Sequence, residues 1–259
     1  MSESAATQNV SGPQCRRFED SEALDNTLAE FVAQRLSEGV EARGSATLVV
    51  SGGSTPLGFF RCLAAITLPW SNIQITLADE RWVPVDHPDS NEGQLRRIFP
   101  ASALISMLSL RGEGDTPEQQ VAYLNQRLQG SAPFDLVILG MGNDAHTASL
   151  FPDAPQLQAG LDTTATAACL LVDPPTAPHQ RIRMSLARLL NAGQIIVHVT
   201  GEEKDHKLPT AWASNAPEQD PSAAPLRQQG TPGTIFQQRT ARLAPKAAGS
   251  QKGDCQGSA

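Results

Sequence analysis

Residues 134–147 read FDLVILGMGNDAHT, an apolar run that empties into glycines, an amide, a carboxylate and an imidazole. A strand with one wet face alternates apolar and polar residues. Leu136, Val137, Ile138 and Leu139 do not alternate, so this strand is expected to be buried on both faces. Working outward, Ala46 to Val50 and Ile73 to Ala78 read the same way. Further strands are predicted at Cys169 to Val172, Ile182 to Leu186 and Ile195 to Val199, with a short one near Met107 to Leu110. Helical patterns lie between them. Asp20 or Ser21 caps a helix whose stripe is Leu24, Leu28, Phe31, Val32 and Leu36. Thr116-Pro117-Glu118-Gln119 starts another, with Val121, Leu124 and Leu128 on one face, Tyr123 at its edge and Gly130 as its stop. Helices are also expected at about 55–65, 90–98 and 202–213, the last interrupted at Pro209.

Strands alternating with helices in this order predict an α/β fold. The sheet should be mostly parallel, doubly wound and Rossmann-like, with helices on both faces and room for a small subsidiary lobe in the second half. The expected domain spans residues 15–243, with flexible tails at 1–14 and 244–259 and a loop or linker at 214–225.

Composition narrows the function. The 259 residues are 40% hydrophobic, enough for a core that needs no staples, and carry a net charge of -7. An acidic chain argues against nucleic-acid binding, which needs a basic face, but two or three clustered cations still suffice for a small anion. Cys15, Cys62, Cys169 and Cys255 are widely spread, suggesting neither a zinc site nor a disulfide framework. Cys62 and Cys169 sit among apolar neighbours and read as buried small hydrophobes. Met1 to Pro13 is polar and offers no signal-peptide core, and no apolar run reaches membrane-span length. A cytoplasmic protein without membrane or nucleic-acid partners is expected.

Ligands of open α/β sheets bind beyond the carboxyl ends of the strands, so the residues after each strand carry the chemistry. They are Ser51-Gly52-Gly53-Ser54-Thr55-Pro56, Asp79-Glu80-Arg81-Trp82, the glycine-rich Met141 to Thr147, and Thr200-Gly201-Glu202-Glu203-Lys204. Gly52 and Gly53 bring the backbone close to a ligand, and the following helix start, capped by Ser54 or Thr55, suits an anion. The first exit lacks the P-loop pattern, so a sugar phosphate suits it better than a nucleoside triphosphate. Arg81, beside Asp79 and Glu80, offers a fork for phosphate, and Trp82 reads as packing. Gly140 to Ala145 matches a dinucleotide fingerprint in form, but Pro152 and Pro155 interrupt the long helix that such a site requires. His146, two residues after Asp144, is the candidate proton carrier. His87, His179, His198 and His206 read as surface or strand positions.

These blocks together resemble the 6-phosphogluconolactonase family. The match runs through SGGSTPLGFF (51–60), ADERWVPVDHPDSN (78–91), FDLVILGMGNDAHTASLFP (134–152), PHQRIRMSLARLLNA (178–192) and VTGEEK (199–204). The resemblance implies metal-free hydrolysis of 6-phospho-D-glucono-1,5-lactone without a cofactor. It implies His146 as the catalytic group and Asp144 as its orienting partner. Arg81 would be the phosphate ligand, with Arg181 and Lys204 beside it. Asp79 and the Gly52, Gly53, Ser54, Thr55 loop would line the substrate, and backbone N–H groups near Gly142 would face the oxyanion. Two departures stand out. Ala145 replaces the family's usual Gly before the His, and Arg183 stands where Thr is common. The stretch after Ala213 also matches the family's last strand poorly.

Two alternatives share the fold. Glucosamine-6-phosphate deaminases carry a similar glycine loop but continue differently after the His, with an acid where this chain has Phe151-Pro152. A non-catalytic sugar-phosphate-binding protein is the third reading; the regulators of this kind need an N-terminal helix-turn-helix, for which some twenty residues leave no room.

Overall fold

Asp20 Oδ1 accepts the Ala23 N–H at 2.7 Å, and the helix that it caps, α1 (Ser21–Arg43), ends where Gly44 turns left-handed at φ 78°. Such a cap contributes about 1 kcal/mol. The computed structural model describes residues 14–112, 114–142, 147–151, 154–175, 177–201, 204, 221, 224–227 and 231–238. Along α1 the predicted stripe turns inward: Leu24, Leu28, Val32 and Leu36 are buried, with Phe31 packed at the core's edge.

The strands are β1 (Gln14–Phe18), β2 (Ala46–Val50), β3 (Ile73–Leu77), β4 (Asp79–Arg81), β5 (Phe134–Gly140), β6 (Cys169–Val172), β7 (Arg181–Met184), β8 (Ala192–Val199) and β9 (Gly233–Gln238). Six of them form one parallel sheet in the order β1-β9-β8-β5-β2-β3. Leu48, Val49 and Val50 are all buried, as are Leu136 to Leu139, so consecutive side chains on opposite faces are both covered. Winding proceeds outward from β2 to β3 and then returns to β5 on β2's other side. That reversal places a crevice beyond the ends of β2 and β5, where the Ser51 and Gly140 exits meet.

β4, β7 and β6 form a separate antiparallel sheet. Ala78 joins the two sheets: its N–H donates to Val50 O at 2.8 Å, and its carbonyl accepts from Met184 N at 2.8 Å. The chain therefore passes from β3 into β4 without a loop, and Asp79 to Arg81 emerge at the crevice. This is the subsidiary element expected from the sequence, but one of its strands comes from the first half of the chain.

Several expectations need correction. QCRRF carries no apolar run, yet Gln14–Phe18 forms the edge strand β1, reaching into the expected tail, because its backbone pairs with β9. Residues near Met107 to Leu110 make only one parallel bridge, Thr76 to Leu108. β7 stops at Met184, and Ser185 then caps the short helix Leu186–Leu190. The helix α2 (Leu57–Ala65) follows Pro56 without a side-chain cap from Ser54 or Thr55. Instead Asp25 of α1 accepts the Phe59 N–H. Ala224 and Pro225 belong to a short helix, Ala224–Arg227, rather than a linker, and β9 supplies the last strand with Phe236 fully buried. Apart from Lys204, the helix predicted at 202–213 lies outside the described residues. The helices α3 (Asn91–Ile98) and α4 (Pro117–Leu128) match expectation, with Ser90 Oγ accepting from Gly93 N and Thr116 capping α4.

Candidate active site

A cleft opens at the crevice between β2 and β5. Ser51 to Pro56 form one wall, Gly140 to Gly142 and Thr147 to Ser149 another, and Asp79, Arg81, Asn91, Arg181, His198 and Lys204 complete it. Gly52 is required there, since a Cβ would overlap the Asn91 carboxamide. Gly53 holds φ at 102°, a left-handed conformation open to glycine, and donates its N–H to Gln94 Oε1 at 3.1 Å. The Asn91 Nδ2 donates to Asp79 O at 2.9 Å, tying α3 to β4.

Glu80 organises the loop that carries Arg81. Its buried carboxylate accepts the N–H groups of Arg81, Asn91 and Glu92 at 2.7, 2.9 and 2.6 Å and the Ser90 hydroxyl at 3.0 Å. Burial pushes its acidity down, so its pKa is raised, against the pull of those donors. Glu80 is thus a loop anchor rather than a surface ion-pair partner. Arg111 covers the Trp82 ring at 3.6 Å, which agrees with a packing role for Trp82.

Arg81 and Arg181 are register partners across β4 and β7. Arg81 Nη1 donates to Asp89 O at 2.5 Å and Arg181 Nη1 to Ser149 Oγ at 3.2 Å, while the Nε of each is buried without a hydrogen-bond partner. Burial lowers the Arg181 pKa, and the neighbouring Arg81 charge adds to this against the pull of Asp79. Lys204 Nζ donates to Thr55 Oγ1 at 3.1 Å, and burial lowers its pKa too. Among the described residues of the cleft, three cations face one carboxylate, Asp79, on a chain whose net charge is -7. That focuses positive potential on an anionic ligand.

The wall after β5 is tightly folded. Thr147 Oγ1 donates to Gly140 O at 2.8 Å, and Leu150 N donates to Thr147 O at 2.8 Å. Ala148 and Ser149 both hold positive φ, 44° and 59°, at a cost of about 1–2 kcal/mol each. The strained turn delivers the Ser149 hydroxyl to Asp79 Oδ2 at 2.5 Å. The predicted catalytic pair, His146 and Asp144, lies outside the described residues, as does Ala145; the flanking Gly142 and Thr147 both line the cleft.

Comparison with known proteins agrees with this fold. Residues 19–234 match the model of the glucosamine-6-phosphate isomerase/6-phosphogluconolactonase family. The chain belongs to this family. A 6-phosphogluconolactonase of Pseudomonas putida is 42% identical over 198 residues, covering 76% of this chain and 82% of that protein. The crystal structure of a 6-phosphogluconolactonase from Shewanella baltica superposes with a TM-score of 0.83 at 39% identity, covering 89% of this chain and 99% of that one. A monomeric glucosamine-6-phosphate deaminase shares the fold, with a TM-score of 0.73 at 18% identity over 87% of this chain and 97% of that one.

In this family member the cleft gathers every predicted binding residue that the structure describes: Gly52, Gly53, Ser54, Thr55, Asp79, Arg81, Gly142, Arg181 and Lys204. Sequence reading missed Asn91, Ser149 and His198. The sequence presents His198 as a surface or strand position, but it is buried in the lining of the cleft, 3.5 Å from Asp25 Oδ1. Burial and the Lys204 charge push its pKa down to about 4, so it is neutral at pH 7. Its only sequence signal is a polar residue inside an apolar strand. Arg183, the other departure, is fully buried, sits opposite Asp79 in the β4–β7 register and donates to Gly160 O at 3.3 Å.

Among the described residues no helix is long and apolar enough to cross a membrane.

Proposed function

We propose that this chain hydrolyses 6-phospho-D-glucono-1,5-lactone to 6-phospho-D-gluconate in the oxidative pentose phosphate pathway, as a cytoplasmic enzyme built on one domain. The observation that carries the reading is the opposed pair Arg81 and Arg181, each with an Nε that has no hydrogen-bond partner, lining one cleft together with Gly142 and Thr147. Like charges directly opposite each other in a sheet are unfavourable, and a bound phosphate turns that repulsion into two charge-assisted contacts. Lys204 adds a third cation, and the Gly52 to Thr55 loop holds the sugar.

With the phosphate held there, the lactone carbonyl is directed toward the segment that carries His146. In the proposed reaction His146 takes a proton from water as its oxygen adds to the lactone carbonyl carbon, with Asp144 orienting the imidazole. Backbone N–H groups near Gly142 stabilise the oxyanion. The ring C–O bond then breaks, and the proton passes to the departing ring oxygen, which becomes the product's hydroxyl. A lactone is an activated ester, so positioning and one general base suffice without a metal.

The test generates the lactone in situ and compares hydrolysis by wild type, by His146→Ala and without protein. Acceleration by wild type that is lost in the variant is expected. A rate equal to the spontaneous one overturns the reading in favour of a sugar-phosphate binder, and release of ammonia from glucosamine 6-phosphate overturns it in favour of a deaminase.

A further inference from the structure

Beside the cleft but outside its lining, three side chains converge from two segments: His87 and Asp89 in the turn before α3, and His179 just before β7. One ligand atom of each lies within 4.8 Å of the other two. His179 Nε2 stands 3.1 Å from Asp89 Oδ2, and His87 Nδ1 stands 3.9 Å from that same oxygen. The two imidazoles meet edge to face with centroids 5.3 Å apart. His87 Nδ1 accepts the Asp89 N–H at 3.1 Å, which leaves the ring proton on Nε2; that lone pair exchanges this hydrogen bond for the ion when a metal binds.

We infer that His87, Asp89 and His179 form a binding site for a zinc-class divalent cation. Tetrahedral zinc with bonds of about 2.0–2.1 Å holds its ligand atoms roughly 3.3 Å apart. The 3.1 and 3.9 Å separations from Asp89 Oδ2 straddle that value, so modest side-chain rotations close the site. Two imidazole nitrogens and one carboxylate oxygen suit zinc, cobalt or nickel, whereas magnesium and calcium prefer all-oxygen sets. Binding at His179 Nε2 uses the neutral tautomer whose single ring proton sits on Nδ1, and the ion takes the place of the His179–Asp89 hydrogen bond. Each side chain keeps between about a quarter and a half of its surface open (29–48%), so the ion enters from solvent and water fills the remaining position.

The site is a clip, not a reaction cofactor. Asp89 also offers its backbone carbonyl to Arg81 Nη1, and Arg181 follows His179 by two residues on β7. An ion bound here fastens together the two segments that present the paired arginines. His179 already holds a left-handed backbone, φ 68°, in the orientation that aims its ring at Asp89.

The test titrates zinc chloride by calorimetry, and cobalt chloride by visible absorption, into the full chain. Wild type should bind one ion, and His146→Ala should bind it equally, which separates this site from the reacting histidine. Both His87→Ala and His179→Asn should weaken binding by at least the roughly 10- to 100-fold that even a supporting contact is worth. Asn tolerates positive φ, so the second variant preserves the turn. Equal affinity in wild type and in both variants overturns the inference, as does loss of binding in His146→Ala alone. Both readouts are independent of lactone hydrolysis, so failure of one proposal is distinguishable from failure of the other.

Discussion

Arg81 and Arg181 face each other as register partners on adjacent antiparallel strands, with no carboxylate between them in the pairing. Their repulsion is offset in part by Asp79, Asp89 and Glu80 and is relieved fully by an anion. Phosphate should therefore stabilise the folded protein through both residues. Arg81→Gln is expected to raise KM roughly 10- to 100-fold, the 1.5–3 kcal/mol of a charged hydrogen bond, with a smaller change in kcat. Inorganic phosphate should raise the Tm of wild type and do so less in the variant. Equal phosphate shifts in both proteins would remove Arg81 from the anion site.

Gly52 and Asn91 share one volume. Gly52→Ala should destabilise by about 1–3 kcal/mol, since the new methyl must displace the Asn91 carboxamide. In Gly52→Ala/Asn91→Ala the steric part disappears, so the double variant should lose less stability than the two single losses added. Urea unfolding midpoints of the four proteins measure this, and strict additivity would contradict the contact.

Asp25 and His198 titrate in the same range with opposite consequences. Burial raises Asp25 from 3.8 to about 6, while burial and Lys204 lower His198 from 6.5 to about 4. Between pH 4 and 6 the folded state holds the Asp25 proton that the unfolded state has lost, so this group alone makes stability fall as pH rises. Between pH 4 and 6.5 the unfolded state holds the His198 proton that the folded state lacks, so that group makes stability rise. The two nearly cancel in wild type. Asp25→Asn should expose a rising slope of up to about 1.4 kcal/mol per pH unit, and His198→Leu a falling one. Chemical denaturation from pH 4 to 7 reads both, and parallel slopes in the two variants would refute the assignment.

Thiol reactivity should follow depth. Cys15 lies exposed on the edge strand β1, whereas burial pushes the buried Cys169 thiol up to about 12 despite nearby Arg183 and Arg188. A chromogenic disulfide reagent should modify Cys15 in the native protein and Cys169 only after unfolding. Native labelling of Cys169, read by peptide mapping, would show that β6 opens readily.

The parts of the fold that were legible in the sequence are those where one strand or helix carries its own signal. Val137 and Ile138 cannot both be buried except in a doubly covered strand, and Asp20 and Thr116 announce their helices by capping chemistry. β1 was not legible, because an edge strand such as QCRRF needs only a backbone partner, and backbone pairing leaves no mark on side-chain pattern. Ser54 and Thr55 were legible as cleft residues, but the capping expected of them is absent, since the acceptor for α2 comes from Asp25 on another helix.

The same division runs through the site. By itself the sequence determined which loops line the cleft, because strand exits of a parallel sheet converge at one end, and it placed Gly52, Arg81 and Lys204 there, while Arg181 came through the family resemblance. Only the tertiary structure decided that Arg81 opposes Arg181, that Ser149 bridges Asp79 and Arg181, and that His198 lies buried against Asp25. Those relations depend on register and on the passage of the chain between sheets at Ala78. Register joins residues about a hundred positions apart, a distance over which local pattern carries no information.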